Sequence, residues 1–330
     1  MGTTNLALLL ASLLVAVPAA YTSYSVPGED PAAVEWEDET AAEAGMASDD
    51  TEDMLYTGII SAMGNEIDLL LKEASIDHIE TIGGVDFHVG ELCGQHVVIA
   101  KAGVGKVLSA AGATTMIDNF PIDSLIFTGI AGGVGDETEV LDEVIATQLV
   151  QHDYGQITND GFEWFEGYVG DNGRYPCDDA LVDLAYRAAV KVVGADHAFK
   201  GTIATGDQFI ASEDYVKLLQ DDFDAIACEM EGAAIALVCM KYDVPFVVVR
   251  AMSDKADGNA HETYENMGDI AADNSSEIVM AMLRELSGEE AVEIFMEEAE
   301  AAEEREALEE AEELTEEVTE ELTEEENLAA

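Results

Sequence analysis

Two glutamates interrupt an otherwise apolar run, AIACEMEGAAIALVC, which spans residues 225–239. A buried carboxylate is unfavourable unless a partner or a ligand uses its charge, so Glu229 and Glu231 are candidates for binding or catalysis. Glu229 lies two residues before Glu231 and points to the same face of the predicted strand. We predict that Glu229 has a supporting role and pairs with Arg250, which lies on an adjacent buried strand.

Two more acidic residues follow apolar runs that are typical of strands. Glu66 comes shortly after LYTGIIS, and Asp254, next to Ser253, ends the segment PFVVVRAMSD. Taken singly, Glu66 is equally explained as a charge at a helix N-terminus, and Asp254 as a helix or turn cap. Ligands of open α/β sheets bind outside the carboxyl ends of the strands. We therefore expect Glu66, Asp254 and Glu231 to converge on one site.

A glycine turn follows the predicted strand SLIFTG and completes this edge of the sheet. The turn is Ile130-Ala131-Gly132, with Gly133 behind it. Neither GxGxxG nor GxxxxGK[ST] accompanies it, and the pair of glycines alone is more typical of a tight turn than of a phosphate cradle. Its position favours a contact with the same ligand.

The elements that must position these residues alternate along the chain. Short β-rich runs are predicted at 55–61, 85–92 and 96–101 and in SLIFTG, EVIATQLV, GTIATG, DAIACE and PFVVVRA. Helical patterns start at Glu66 and cover 104–120, 179–193 and 264–286, with further helices between the later strands. This alternation predicts an α/β fold whose sheet is covered by helices on both faces.

Composition limits the classes of ligand. The 330 residues carry 13 Lys+Arg against 71 Asp+Glu, a formal net charge of -58. Such a surface repels the phosphates of nucleic acids and anionic membranes, so no nucleic-acid partner is expected. Four cysteines and six histidines show no metal-ligand spacing. We predict neither a metal nor a cofactor.

The ends of the chain differ from the centre. Residues 1–20 contain an apolar stretch that ends in small residues, which predicts a signal peptide or an N-terminal anchor. Residues 21–53 are predicted to be an acidic, disordered linker, and 289–330 a Glu-rich tail that is disordered or a solvated helix. The functional domain is predicted at 54–288. A cleaved leader implies a secreted or extracytoplasmic protein; otherwise we expect a cytoplasmic one, with stable membrane association only if the leader is an uncleaved anchor.

Six segments in order carry a resemblance to a known family: GIISAMGNEID, AKAGVGKVLSAAGAT, TGIAGGV, TGDQFI, CEMEGAAIALVC and VPFVVVRAMSDKAD. Over Leu55 to Leu286 the chain resembles the nucleoside phosphorylase and nucleosidase superfamily, and within it the 5′-methylthioadenosine/S-adenosylhomocysteine nucleosidases. The resemblance implies a single three-layer α/β domain with a central mixed, twisted β-sheet flanked by helices. It also implies a purine nucleoside as the substrate.

The resemblance further implies roles for individual residues. Glu66 matches the base that activates water, and Asp254, beside Ser253, matches the acid that protonates adenine N7. Glu231 matches the carboxylate that holds both ribose hydroxyls. The remaining implied contacts are the ring of Phe209 on the purine, the backbone of Ile210 at the adenine edge, and an apolar lining formed by Met63, Val104, Met230 and Tyr264.

Chemistry gives independent support for two different carboxyl groups. Cleavage of an N-glycosidic bond builds positive charge on the ribose and negative charge on the leaving base. One carboxyl group must therefore be an acid and the other a base. A low-dielectric pocket keeps Asp254 protonated, while Glu66 stays ionised and takes a proton from water.

Several alternatives remain open. The superfamily's phosphorylases clamp phosphate with arginines, and none occurs in AMGNE (62–66) or beside TGIAGG, which favours water as the nucleophile. Gly64, Asn65 and Ile130 depart from the family pattern, and TGIAGG also resembles futalosine hydrolase. A noncatalytic, secreted nucleoside-binding or storage protein is the rival from another class.

Family members are usually homodimers in which the partner adds aromatic residues to the 5′ pocket. Phe162, Trp164 and Phe165 are the candidates for that contribution in this chain. A locally packed aromatic loop explains these three residues equally well.

Overall fold

The computed structural model describes residues 54–165 and 172–288. The predicted leader, the acidic linker and the Glu-rich tail lie outside the described residues, so these boundaries stay predictions. The strands in the described part are β1 Tyr56–Ser61, β2 Ser75–Ile82, β3 Val85–Leu92, β4 Gln95–Lys101, β5 Ile122–Gly133, β6 Glu143–Gln151, β7 Gly155–Thr158, β8 Gly161–Trp164, β9 Arg174–Pro176, β10 Ala198–Thr205, β11 Ala225–Glu229 and β12 Phe246–Asp254.

The described residues form six α-helices, five between strands and the last after β12: α1 Asp68–Glu73, α2 Lys106–Asn119, α3 Asp179–Val193, α4 Glu213–Phe223, α5 Gly232–Tyr242 and α6 Ala260–Ser287. Helix α2 packs on α5, while α1 and α3 pack on α6, which itself covers β5 and β12. The helices thus form two groups against the sheet, and the predicted three-layer α/β fold is confirmed. None of the described helices combines the length and the apolar composition needed to cross a membrane.

The sheet is mixed, in the order β11-β10-β6-β12-β5-β1-β4-β3-β2. Strands β4, β1, β5 and β12 are parallel to one another, and so are β6, β10 and β11. The two groups meet where β12 runs antiparallel to β6. The apolar residues of β1, β5 and β12 are almost all buried, as expected for strands covered on both faces.

Strand β5 belongs to the first parallel group and also pairs with β11, the last strand of the second group. It is twelve residues long, and its last residues, Gly132 and Gly133, pair antiparallel with Cys228 and Ala227 of β11. Strands β5, β12, β6, β10 and β11 therefore close into a ring. Because β5 and β11 run in opposite directions there, the residues that follow Glu229 lie beside Ile130 and Ala131.

Some elements differ from the sequence-based prediction. Strand β2 was not predicted, because SIDHIETI is mostly exposed and shows no buried face. The helix predicted from Glu66 starts only at Asp68 and has six residues. Helix α6 starts at Ala260, four residues before the predicted start at 264. The aromatic segment after 155 is a hairpin of β7 and β8.

Candidate active site

A cavity of about 370 Å³ opens where β5 meets β11. It is lined by Ala62, Met63, Glu66, Val104, Ile130, Ala131, Gly132, Phe209, Cys228, Glu229, Met230, Glu231, Ser253, Asp254, His261 and Tyr264. The structure thus brings the predicted site residues into one cavity, with two exceptions. Arg250 lies fully buried behind the wall. The side chain of Ile210 packs against an apolar cluster that includes Val150 and Phe223.

Glu66 lies in the turn after β1 and is 2 % exposed. Its Oε2 accepts hydrogen bonds from the backbone N–H groups of Ala62 at 2.9 Å and Met63 at 2.7 Å, and its Oε1 accepts one from Ile130 at 3.0 Å. Burial raises the pKa of Glu66, while the positive charge of Arg250 and the three N–H groups oppose that rise. Glu66 is therefore a carboxyl group of increased basicity whose ionised form is favoured by these N–H groups and by Arg250.

Helix α6 fixes the backbone around Glu66. Ser276 Oγ donates to the carbonyl oxygen of Glu66 at 3.1 Å, and Asn65 Nδ2 donates to Asp269 Oδ1 at 3.0 Å. In each of these hydrogen bonds, the donor and the acceptor residue are more than 200 positions apart in the chain. The turn that carries the predicted base thus depends on a distant helix for its position.

Gly129 allows this part of the site to form. Its φ is +151°, and a Cβ built on it would lie 2.3 Å from Glu66 Oε1 and 2.4 Å from Arg250 Nη1. A side chain at residue 129 would displace both charged groups, so glycine is required by their close approach.

Glu229 and Arg250 form the buried ion pair expected from the sequence. Arg250 Nη2 lies 2.8 Å from Glu229 Oε2, and the guanidinium stacks 3.8 Å from the ring centroid of Phe127. Glu229 also accepts hydrogen bonds from Thr205 Oγ1 and from the N–H groups of Glu231 and Gly232. Its oxygens are occupied by protein donors, which agrees with a supporting role.

Glu231 is 5 % exposed and comes directly before α5. Its Oε1 accepts a hydrogen bond from the N–H of Gly105 at 2.8 Å, and its Oε2 lies 3.7 Å from Arg250 Nη2. Burial and the negative charge of Glu229 raise the pKa of Glu231 to about 8. Unlike Glu229, this carboxyl group has acceptor positions left for a ligand in the cavity.

Asp254 ends β12 and is 2 % exposed. Its Oδ1 accepts a hydrogen bond from the N–H of Ala256 at 2.7 Å, and its Oδ2 lies 2.8 Å from Ser253 Oγ. Burial raises the pKa of Asp254, and these two hydrogen bonds oppose the rise. No cation among the described residues forms an ion pair with Asp254, in contrast to the Arg250 charge that acts on Glu66.

The outer wall of the cavity is apolar. Phe209 is 51 % exposed and meets Tyr264 edge to face, with the ring centroids 6.2 Å apart. Val104 is 46 % exposed at the opening, and Met63 lies 3.6 Å from the Tyr264 hydroxyl. These surfaces suit a flat ring and an apolar arm. The order from carboxylates inside to apolar residues outside gives the cavity a polar and an apolar end.

Three lining residues were not predicted: Ala62, Cys228 and His261. Ala62 and Cys228 are small residues next to predicted ones, and position alone is the signal that could have identified them. His261 lies in the first turn of α6, which the sequence pattern placed too late. Among the described residues, no cluster of three or more His, Cys, Asp or Glu side chains is arranged to hold a metal ion.

Comparison with known proteins identifies the family. The family model described as "Phosphorylase superfamily" matches residues 56–284, which include every described carboxylate of the cavity. The chain belongs to the phosphorylase superfamily. A curated superfamily member, the 5′-methylthioadenosine/S-adenosylhomocysteine nucleosidase of Shewanella sediminis, is 37% identical over 234 residues, which is 69% of this chain and 99% of the relative.

Solved structures from the superfamily agree with this assignment. The 5′-methylthioadenosine/S-adenosylhomocysteine nucleosidase from Neisseria meningitidis, in complex with methylthio-immucillin-A, is 35% identical with a TM-score of 0.63, and the match covers 70% of this chain and 99% of that one. Futalosine hydrolase of Helicobacter pylori is 31% identical with a TM-score of 0.64, over 70% of this chain and 98% of that one. The chain described here is therefore an N-glycosyl hydrolase.

Proposed function

We propose that this protein hydrolyses the N-glycosidic bond of 5′-methylthioadenosine, of S-adenosylhomocysteine or of both, and releases adenine. The observation that carries the proposal is the meeting of Glu66, Glu231 and Asp254 in one cavity, in three different electrostatic settings. The identity to nucleosidases named for these two substrates supports the choice of nucleoside.

The different surroundings of Glu66 and Asp254 suit one to the role of general base and the other to that of general acid. Arg250 and three N–H groups favour the ionised form of Glu66, so Glu66 takes a proton from water. Asp254 has no such cation, its pKa is raised by burial, and Asp257 adds a nearby negative charge. Asp254 is the group that holds a proton and gives it to the departing purine. Ser253, hydrogen-bonded to Asp254, fixes the orientation of its carboxyl group.

The rest of the cavity suits the remainder of the substrate. Glu231 accepts hydrogen bonds from the two ribose hydroxyls, and its ionised form stabilises the positive charge that develops on the ring. Phe209 stacks on the purine, and the backbone of Ile210 contacts the adenine edge. Ile130, Ala131 and Gly132 lie against the base and ribose, and the 5′-alkylthio arm contacts Met63, Val104, Met230 and Tyr264.

Water is the better nucleophile for this cavity than phosphate. Among the described residues, the lining includes four carboxyl groups and neither lysine nor arginine. The nearby Arg250 is engaged by Glu229 and lies behind the wall. A phosphate dianion would meet repulsion from the carboxylates with no bidentate clamp to offset it.

A second candidate substrate is futalosine. The futalosine hydrolase of Helicobacter pylori matches over the same region, and Ile130 contributes an apolar side chain where TGIAGG resembles that enzyme. This alternative keeps the roles of Glu66 and Asp254 and changes the base and the 5′ substituent. The noncatalytic storage protein is disfavoured, because the acid, the base and the ribose carboxylate share the cavity.

We also propose that the active form is a homodimer. Phe209, Val104 and Phe162 are 51 %, 46 % and 45 % exposed, and Ile157 on the hairpin is 82 % exposed. A partner would remove this apolar surface from water. Of the three aromatic candidates, Trp164 packs on Phe223 and Phe165 packs on Tyr154 within the chain, which leaves Phe162 for a contact across the interface.

A substrate panel tests the proposed reaction. The purified protein is assayed with 5′-methylthioadenosine, S-adenosylhomocysteine, adenosine, inosine and futalosine, each with and without phosphate. We expect adenine from the first two at a rate that phosphate does not change. Phosphate-dependent cleavage would support a phosphorylase, and no cleavage of any nucleoside would support a binding protein.

Size-exclusion chromatography with light scattering tests the homodimer.

A further inference from the structure

A cluster of charged residues lies beside the cavity without lining it. Lys106 Nζ lies 2.5 Å from Asp153 Oδ1 and 3.9 Å from Asp207 Oδ2. Asp207 is bound twice more: its Oδ1 accepts a hydrogen bond from the N–H of Lys106 at 2.9 Å, and its own N–H donates to Asp153 Oδ2 at 2.8 Å. We call Lys106, Asp153 and Asp207 the clasp.

The clasp joins two loops that reach the cavity from different strands. Residues 102–105, here the ribose-side loop, follow β4 and contribute Val104 and the N–H of Gly105, which binds Glu231. Residues 206–210, here the purine-side loop, follow β10 and contribute Phe209. Consecutive N–H groups thus have separate tasks: that of Gly105 binds Glu231, and that of Lys106 binds the purine-side loop through Asp207.

The backbone is shaped for this junction. Gly105 has a φ of +95°, and a Cβ built on it would lie 3.1 Å from Asp207 Oδ1. Helix α2 has no side-chain cap from its own N-terminal residue. The carboxylate of Asp207 satisfies the first N–H of α2 instead, from a loop about a hundred residues away in the sequence. A negative charge at this end of a helix is also favoured by the helix dipole.

The surroundings make Lys106 the centre of the clasp. Its side chain is 17 % exposed and that of Asp153 is 13 % exposed, so both are largely withdrawn from solvent. Lys106 Nζ also donates to Gln151 Oε1 at 3.3 Å. Without the ammonium group, two carboxylates and an amide oxygen would face one another at short range, in a chain of net charge -58. This repulsion would weaken the junction, which would then depend on the two backbone N–H hydrogen bonds alone.

We propose that Lys106 is a positioning residue, which sets the distance between the purine-side and ribose-side loops and thereby fixes how tightly the nucleoside is held. Lys106 does not line the cavity, so it acts through Asp153 and Asp207 and not on the reacting atoms. The inference rests on the proposed placement of the purine on Phe209 and of the ribose on Glu231. It predicts a loss of substrate affinity while the acid and base chemistry is kept.

The test compares Lys106→Met, which keeps the unbranched stem of the side chain and removes the ammonium group, with Lys106→Arg, which keeps the charge. Lys217→Met is the matched control, because Lys217 pairs with Asp221 on an exposed helix face, at 3.3 Å. For each variant, kcat and KM are measured with 5′-methylthioadenosine, the dissociation constant of methylthio-immucillin-A is measured by calorimetry, and Tm is recorded.

We expect KM and the inhibitor's dissociation constant to rise about tenfold in Lys106→Met, with kcat within about threefold of wild type, because loops that are no longer pre-organised bind their ligand more weakly. Lys106→Arg should keep both constants within about threefold of wild type, and the control should not change them. Asp153→Asn should raise KM similarly, and the double variant with Lys106→Met should add little, since the two residues act as one unit.

A folded Lys106→Met variant with unchanged KM and inhibitor affinity would overturn the proposal, and so would a loss confined to kcat. An equal rise of KM in Lys217→Met would assign the effect to overall charge and also overturn it. If Lys106→Met does not fold, Asp153→Asn and Lys106→Arg decide by the same criteria. The wild-type assay tests the proposed function separately: if another nucleoside is cleaved, the same comparison is made with that nucleoside.

Discussion

Glu229 and Glu143 are both buried carboxyl groups on strands of one sheet, and their surroundings are opposite. Glu229 accepts hydrogen bonds from Thr205, from two N–H groups and from Arg250. Glu143, at the start of β6, is 0 % exposed, and neither of its carboxyl oxygens has a hydrogen-bond partner among the described residues. Its cross-strand neighbours are Ala251 and Ala198.

The contrast shows that burial of a carboxyl group does not by itself mark a functional site. Burial and the negative charge of Asp142 raise the pKa of Glu143 well above its ordinary value. The oxygens of Glu229, in contrast, are bound by Arg250 and by three other protein donors. Glu66 lies between these cases, since it has donors as Glu229 does, while burial raises its pKa as it raises that of Glu143. The number and type of partners determine which of the three can take part in proton transfer.

The largest expected effect is at Glu66, where partners and access to substrate coincide. Replacement by Gln (Glu66→Gln) removes the base, and we expect kcat to fall by about 10²–10⁴-fold, the usual contribution of a general base. Asp254→Asn should have an effect of similar size, because the leaving purine then lacks its acid. Steady-state assays measure both, with the exposed Glu80→Gln as the control. A wild-type kcat in either variant would contradict the assigned role.

Glu66 also gives a prediction for the pH dependence of kcat. Burial raises the pKa of Glu66, so the acidic decline of kcat should occur at a pH above the ordinary titration range of a glutamate. As the pH falls through this raised pKa, Glu66 gains a proton and can no longer accept one from water. The decline should disappear from the residual activity of Glu66→Gln. A pH–rate profile that is identical in shape for both proteins would contradict the assignment.

The next effect concerns stability and the partnered carboxylate. Glu229→Gln would leave Arg250 buried without its counter-charge, and we expect the free energy of unfolding to fall by about 3–5 kcal/mol. Urea denaturation followed by circular dichroism measures the change. A loss under about 1 kcal/mol would mean that Arg250 finds compensation elsewhere, for example at Glu231.

For Glu143 the expected change has the opposite sign. Glu143→Leu replaces an unpartnered polar group with an apolar one, and the free energy of unfolding should rise by about 1–3 kcal/mol at neutral pH. The raised pKa means that the folded state holds a proton which the unfolded state has lost, so the wild type loses stability as the pH rises from the ordinary glutamate pKa to the raised one. The gain should therefore be larger near about pH 8 than near about pH 5. A destabilised variant at both pH values would show that Glu143 has a favourable role.

The smallest effect is expected for a partnered carboxylate on the surface. Arg187 Nη2 lies 2.6 Å from Glu285 Oε1, and their side chains are 54 % and 28 % exposed. Arg187 lowers the pKa of Glu285, and solvent screens the pair, so Arg187→Gln should cost under about 1 kcal/mol of unfolding free energy. The cost should shrink further in high salt. A cost comparable to that of Glu229→Gln would show that burial does not determine how much an ion pair contributes to the stability of this protein.

Much of the site could be predicted because its residues follow strands. The carboxyl ends of apolar runs located Glu66, Glu231 and Asp254, and the alternation of periods located the sheet. The closure of the sheet could not be predicted in this way, since the pairing of Gly132 with Cys228 depends on long-range geometry. Strand β2 was missed because its residues are exposed and lack the alternation of a half-buried strand.

The surroundings of individual charged residues were harder to predict from the sequence. Glu143 lies in EVIATQLV and looks like the polar first residue of a strand, although the structure buries it completely. Lys106, Asp153 and Asp207 come from three separate segments, and no local pattern connects them. The pairing of Glu229 with Arg250 was predicted only because both residues lie in strongly apolar runs, where a lone charge is unfavourable.

The hydrogen bond from Ser276 to the carbonyl oxygen of Glu66 has a consequence for biosynthesis. The turn with the proposed general base is among the first parts of the domain to leave the ribosome, whereas the serine that holds it emerges 210 residues later. A nascent chain released before α6 is complete would contain all the acidic groups of the pocket and still lack a correctly oriented base. We therefore expect catalytic competence to arrive only when the final helix is complete.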